Sequence, residues 1–447
     1  TRAGPHATLQ LGLTAEAGGR AEDATARADS QVEPEGIVTV DADGFVRTEG
    51  NGTATVTATL DGVTSGARTI TVEAFYATIP VSFPNEVVPL LTRNGCNGGG
   101  CHGKAEGQNG FRLSLLGYEP WNDHEYLVKE ARGRRIFRAA PEHSLLLLKG
   151  TGELPHEGGS RLDRDGDDYR LFVRWIRQGL PYAPENDPTV TRIEVYPKER
   201  LTSAGARQQL RMVAHLSDGK SRDITRAAQY ETNDEEMAHA DEQGVVTMMD
   251  RTGSTSVMIR FQEHVDVFRA TIPLGAPTDG FPAPRNFIDE HVLAKLKTLG
   301  LPPSETSDDA TFLRRVTIDI AGRIPTLEET DAFLADPDPH KRARLIDDLV
   351  ASPDYADHFA GKWAAILRNK RKSDSHQRGT YAFHSWIRTA LNDGVPYDQL
   401  VRELVTASGE ISQSPAVVWY RTVRERKEQM QDVAQVFLGI RLQCAQC

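Results

Sequence analysis

The chain has 447 residues, 39% hydrophobic and 26% charged, with a formal net charge of −11. This is ordinary globular material for roughly two to four domains. The acidic balance argues against a nucleic-acid or anionic-membrane partner, and no apolar run reaches the ~18–20 residues of a membrane-spanning helix.

The predicted elements begin with a repeat. Residues 22–46 (EDATARADSQVEPEGIVTVDADGFV) align without gaps to 222–246 (RDITRAAQYETNDEEMAHADEQGVV), so Asp23 matches Asp223, Thr25 matches Thr225, Gly44 matches Gly244 and Val46 matches Val246. Each copy alternates polar and apolar residues between Gly, Asp and Asn turns, the pattern of short strands in a β-sandwich. The second copy opens with a strand at Thr191–Pro197 that has no counterpart in the first. Residue 1 is Thr, no signal-peptide pattern is present, and Cys447 follows an apolar helical stretch. The chain therefore reads as a fragment cut at both ends, its leader not in view.

A different segment lies between the copies. It is Gly-rich near its start and ends in a helical stripe over Tyr169–Ile176, stopped by Gly179. After the second copy, a Pro/Gly-rich linker at 275–284 leads into a helical region. Helices are expected at about 286–299, 308–320, 340–350, 354–369, 379–392, 396–407 and 424–440. In the first, Phe287, Ile288, Val292, Leu293, Leu296 and Leu299 form an apolar stripe ended by Gly300. Thr326 and Glu329 have the spacing of a capping box.

The four cysteines form two tight pairs, Cys96 with Cys101 and Cys444 with Cys447. Disulfide-stapled folds spread their cysteines over long loops, so close pairs point to a cofactor, a metal or redox chemistry. The first pair is followed directly by His102, as covalent haem requires: two thiols for the vinyl groups and an imidazole for the iron. The usual spacing has two residues between the cysteines, and here there are four, Asn97-Gly98-Gly99-Gly100. Glycine would let this longer loop close. A local disulfide, and a zinc site completed by His102 and His124, are the competing readings. His156, in the loop before the last helix of the segment, is the expected second iron ligand, with His124 and His143 as weaker candidates. Leu145–Leu148, Phe111 and Trp175 would line the haem. Arg132, Arg134, Arg135 and Arg138 would either face its propionates or form a solvated helix face. Asp163–Asp168 hints at a calcium loop but lacks the spacing of one and reads as a solvated acidic turn. His358, Trp363, His384, Trp386 and Trp419 sit in apolar-periodic context and read as core.

The D-(I/A)-T, G-x-V and GTATVTA segments of the repeats resemble bacterial Ig-like group 2 domains. The stretch CNGGGCHGKAEGQNGFRLSLLGYEP, with LLLLKGTGELPHEGG and YRLFVRWIRQGLPY, resembles the cytochrome-c-like segment of large exported planctomycete proteins. FIDEHVLAKLKTLGLPPSETSDDATFLRRVTIDIAGRIPTLEE, LVASPDYADHFAGKWAAILRN and FLGIRLQCAQC resemble the helical domain of unknown function that follows it there. The resemblance implies export, haem binding and electron transfer, and no defined reaction. In that family Cys447 would be followed by His, so a second haem at Cys444 and Cys447 depends on a residue beyond this sequence.

The expectation is thus a multidomain chain. Residues 1–77 form an Ig-like β-sandwich truncated at its N-terminus, and 84–184 a small helical cytochrome-c-like domain. Residues 189–274 form a second sandwich, and 285–447 a mainly helical domain truncated at its C-terminus. One haem c is attached at Cys96 and Cys101 and ligated by His102 and His156, with the sandwiches as spacers and an unidentified redox partner. The alternative is an extracellular binding or adhesion protein, recognising a polymer or cell-surface partner, in which Cys96–Cys101 is a disulfide or metal site. No hydrolytic or transferase signature is evident.

Overall fold

The computed structural model describes residues 2–443. The chain divides into two compact units between Pro303 and Ser304. The first is rich in β-sheet and the second is helical.

Among the described residues, the first unit contains three hydrophobic cores. In the N-terminal β segment, Arg2–Ala3 runs parallel to Arg68–Glu73, which pairs antiparallel with Gly52–Leu60, itself paired with Asp29–Glu33. A second sheet joins Thr8–Gln10, Phe45–Thr48 and Val38–Val40, and Thr14–Ala17 forms a ribbon with Arg20–Asp23. Val38, Val46, Ala54, Val56, Ile70 and Val72 fill the space they enclose. Residues 190–272 repeat this arrangement. Glu199–Leu201 is parallel to His264–Ile272, which pairs with Gly253–Phe261 and onward to Gln229–Thr232. Arg207–Gln209, Val245–Met248 and Ala238–Ala240 form the second sheet. The ribbon becomes a three-stranded sheet by addition of Val190–Tyr196 to Arg211–Leu216 and Ser221–Asp223. The period of two is plain in Gly253–Phe261, where Thr255, Val257, Ile259 and Phe261 point inward.

The repeated glycines have a local cause. Gly44 and Gly244 adopt φ of 73° and 80°, a region that favours glycine. Each closes a turn in which an aspartate, Asp41 or Asp241, accepts the amides two and four residues on through Oδ1.

The intervening segment is built on four short helices: α1 (Val88–Arg93), α2 (Pro120–Val128), α3 (Leu145–Gly150) and α4 (Asp167–Arg177). The apolar face of α4, with Tyr169, Phe172, Val173, Trp175 and Ile176, meets Phe83, Leu91, Leu113, Leu127 and Leu147 in one core. A fifth helix, α5 (Phe287–Leu299), is capped by Asn286 and ended by left-handed Gly300. Its stripe differs from the sequence expectation. No residue of α5 is buried, and Phe287, Ile288 and Val292 are largely exposed.

The second unit contains α6 (Asp309–Ala321), α7 (Leu327–Ala335), α8 (Lys341–Ala351), α9 (Pro353–Ile366), α10 (Gln377–Asn392), α11 (Tyr397–Val405) and α12 (Arg426–Phe437). The capping box at Thr326 and Glu329 is present. Arg323 grips Glu329 at 2.7 Å and Asp354 at 2.6 Å, tying the start of α7 to the start of α9. The hydrogen bond from Arg323 is the main cause that pulls Glu329 down to about 2. Trp419 lies on a 3₁₀ stretch, Pro415–Arg421, that periodicity did not mark, and it anchors a core with Phe383, Ile387 and Leu404. Trp363 and Trp386 pack against that core.

Candidate functional site

The site is assembled around the loop that follows α1. Asn94 caps that helix and Gly95 (φ 70°) turns the chain out of it, while Cys96 donates its amide to Leu91 at 2.9 Å. The loop closes on itself when the amide of His102 reaches the carbonyl of Cys96 at 3.1 Å, and those of Cys101 and Gly103 reach Gly98 at 2.9 and 3.1 Å. The glycines of the insert contribute little to this. None of Gly98, Gly99 and Gly100 has a positive φ, a Cβ on Gly100 would meet nothing within 4 Å, and one on Gly98 would lie 3.3 Å from the Gly95 carbonyl oxygen. The demanding position is Gly103, where a Cβ would lie 1.9 Å from the Asn97 carbonyl oxygen. Asn97 is fully buried and holds Thr92 through its side chain at 2.9 Å.

This loop forms one wall of a cavity of about 970 Å³, within the range of cofactor sites. Cys96, Cys101, His102 and His156 all line it. The apolar part of the lining comes from Leu91, Phe111, Leu113, Leu145, Leu146 and Phe172. Trp175 does not contribute. It lies in an aromatic cluster with Phe83 and His124, its indole donating to Pro181 at 2.9 Å. Leu147 is part of the segment's core and Leu148 is not in the lining.

His102 and His156 come from segments 54 positions apart, yet their ring centroids are 6.2 Å apart and their planes differ by 8°. Each ring is oriented the same way. Nδ1 of His102 faces the Phe111 carbonyl at 3.0 Å, and Nδ1 of His156 faces that of Gly159 at 2.9 Å. A carbonyl only accepts, so both Nδ1 atoms donate, and Nε2 is the nitrogen each ring would offer to a metal, the arrangement seen in metal-ligating histidines. Burial lowers the His102 pKa, which keeps the ring neutral and able to ligate. Behind it, the Phe111 ring packs 4.5 Å away, and the buried Arg135 guanidinium sits 4.3 Å over that ring.

The weaker ligand candidates fall away. His124 Nε2 bonds the Leu180 carbonyl at 3.0 Å, outside the cavity lining, and His143 is exposed and also outside it. Cys96 and Cys101 are both free thiols, not a disulfide. Burial is the main cause that pushes the Cys96 thiol up to about 11, the opposite of the depressed values of redox-active dithiols. Among the described residues, no group of three or more His, Cys, Asp or Glu side chains is placed to hold a metal ion. Cys444 and Cys447 lie outside the described residues.

The charges around the cavity were only partly legible. Arg134, Arg135, Lys149 and Arg161 line it, against one carboxylate, Glu157. Arg135 pairs with Glu130 at 3.2 Å, whereas Arg134, Lys149 and Arg161 have no salt-bridge partner among the described residues. The arginine cluster is not a helix face. Arg132 has a left-handed backbone in a short 3₁₀ turn, Arg135 is buried, and Arg132 and Arg138 are outside the lining. Lys149 and Arg161 were missed because they flank the His156 loop and form no run in sequence. Asp167 and Asp168 of the acidic turn are engaged with Arg47, Arg170 and Arg93.

Residues 287–447 match the family described as PSCyt2, a protein of unknown function (DUF1549). No curated protein matches the chain. Among solved structures, S-layer protein SbsC domains 4 and 5 is similar at 11% identity, covering 55% of this chain and 70% of that one, with a TM-score of 0.17. The S-layer protein rSbsC(31-844) is similar at 11% identity over 65% of this chain and 27% of that one, with a TM-score of 0.18. TM-scores this low assign no shared fold. Among the described residues no helix is long and apolar enough to cross a membrane.

Proposed function

We propose that residues 84–184 form a cytochrome-c-like domain holding one haem c, and that the chain is an exported electron-transfer protein with two Ig-like repeats. Cys96 and Cys101 would carry the thioether links, and His102 and His156 the iron.

The observation that carries this reading is the imidazole pair. The two rings come from distant segments, lie nearly parallel with centroids 6.2 Å apart, and line the same cavity as Cys96 and Cys101. A haem iron takes its remaining ligands from the macrocycle, so two imidazoles suffice where a zinc site would want four protein groups. The apolar walls match a porphyrin face, and the unpaired cations suit its carboxylate edge. Bound there, haem would supply one-electron transfer. The protein would orient it, exclude water from one face, and set its potential through two imidazoles, which favour a lower value than a His/Met pair. Export enters through the resemblance to exported proteins.

The test is a haem-stained denaturing gel with a reduced-minus-oxidised spectrum, on protein exported in a host with cytochrome c maturation. Cys96→Ala/Cys101→Ala serves as control. Covalent haem that disappears in the control is the expected result. Correctly exported and matured wild-type protein without haem would overturn the reading.

A further inference from the structure

The two β repeats touch each other reciprocally. The Gln10 amide of the first donates to Asp223 Oδ2 of the second at 3.1 Å, and the Gln209 amide of the second donates to Asp23 Oδ2 of the first at 2.8 Å. Asp23 and Asp223 are equivalent positions, and Gln10 and Gln209 occupy matching strands. The supporting bonds are duplicated as well. Asp23 and Asp223 accept the Thr25 and Thr225 amides through Oδ1 at 3.2 and 3.1 Å. The two threonine hydroxyls accept Leu13 and Met212 at 2.9 and 2.8 Å. Both glutamine side chains reach back to the carbonyls of the next residue and of a turn residue, Asp43 or Gln243.

A contact in which residue i meets j while j′ meets i′ is the mark of a two-fold, self-complementary interface. We infer that the repeats are an internal pseudo-symmetric dimer, and that this strand edge is a surface whose partner is a second repeat of the same fold. Gln10, Gln209 and Asp223 are buried in this contact. The adjacent Leu11 amide turns to Gly44 within its own sheet, so the Gln10 amide points outward from the strand edge, where Asp223 meets it.

This changes the role of the repeats from spacers on a string to a frame. Residues 84–184 are gripped by both members: Arg47 of the first holds Asp167 at 2.9 Å, and Gln262 of the second donates to Pro84 and Asn85 at 2.9 Å. Arg93 also reaches the Arg226 carbonyl, while the Arg226 guanidinium lies 3.7 Å over Phe45 of the first repeat. The inference does not depend on haem.

Hydrogen exchange of the full chain, read by mass spectrometry on peptides containing Gln10 and Gln209, tests it. In the unsubstituted chain both amides should exchange at least tenfold more slowly than in the unfolded chain. Asp223→Ala should accelerate exchange at Gln10, and Asp23→Ala at Gln209, each in the repeat that does not carry the substitution. Unprotected amides in the unsubstituted chain, or changes confined to the substituted repeat, would overturn the pairing.

Discussion

Gly103→Ala is the substitution with the sharpest expected consequence. Its Cβ would sit 1.9 Å from the Asn97 oxygen and 2.5 Å from the carbonyl carbon. These are backbone atoms, so no side chain can swing aside. Restoring even a 3.0 Å contact needs a displacement of 1.1 Å, the difference between 3.0 and 1.9 Å. The Asn97 oxygen also accepts the Leu116 amide at 3.0 Å. Losing that bond in a buried place costs ~1–3 kcal/mol, and forcing an atom into packed surroundings a further ~1–3 kcal/mol. A loss of about 3 kcal/mol lowers Tm by roughly 5 °C in a unit that runs to Pro303, because the unfolding entropy scales with length. Gly100→Ala, three residues away and facing open space, should change stability by less than ~0.5 kcal/mol. Thermal unfolding by circular dichroism, with haem content per chain, compares the two. Equal damage from both, or a harmless Gly103→Ala, would refute the account of how this loop is held.

His156→Met should raise the midpoint potential and change the low-spin spectrum, whereas His143→Ala should leave both as they are; spectroelectrochemistry separates them. Lys149→Gln and Arg161→Gln each remove a cation beside the cavity, so the midpoint potential should fall, because the ferric state loses a repulsive neighbour. An unchanged potential in both variants would place these cations too far from the redox centre to act. Burial pushes the Asp123 carboxyl up to about 6 against Ser114. The folded protein therefore holds this proton where the unfolded chain has lost it, and stability should fall as pH rises from about 4 to about 6. Asp123→Asn should flatten that decline in denaturant titrations across this window.

The sequence was most readable where one local rule decides the outcome. The capping box at Thr326, the stop at Gly300 and the stripe of α4 each depend on a few neighbours. The repeat was visible because Asp41-x-x-Gly44 and Asp241-x-x-Gly244 build the same turn. His102 and His156 could be named from motif and position, but the carbonyls of Phe111 and Gly159 that set their tautomers could not. Trp175 was misassigned because a helical stripe tells which side is buried and not against what. The stripe of α5 marked apolar residues that the fold leaves exposed. The reciprocal Asp–Gln contacts lay beyond reach, since matching residues announce a shared fold and not a shared surface.

The separation of His102 and His156 has a consequence for how the small domain stays folded. Among the described residues its two cysteines form no disulfide, and its helices α1 and α3 have six residues each. A metal ion held by both rings would cross-link chain positions 54 apart. By the loop-closure entropy that governs disulfides, such a staple restricts the unfolded ensemble by on the order of 4 kcal/mol. The cofactor would then act as a fastener as well as an electron carrier. The His156 turn, closed by its own hydrogen bonds and by Lys149 reaching Pro155 at 3.0 Å, would then be tied through the cofactor to the loop after α1.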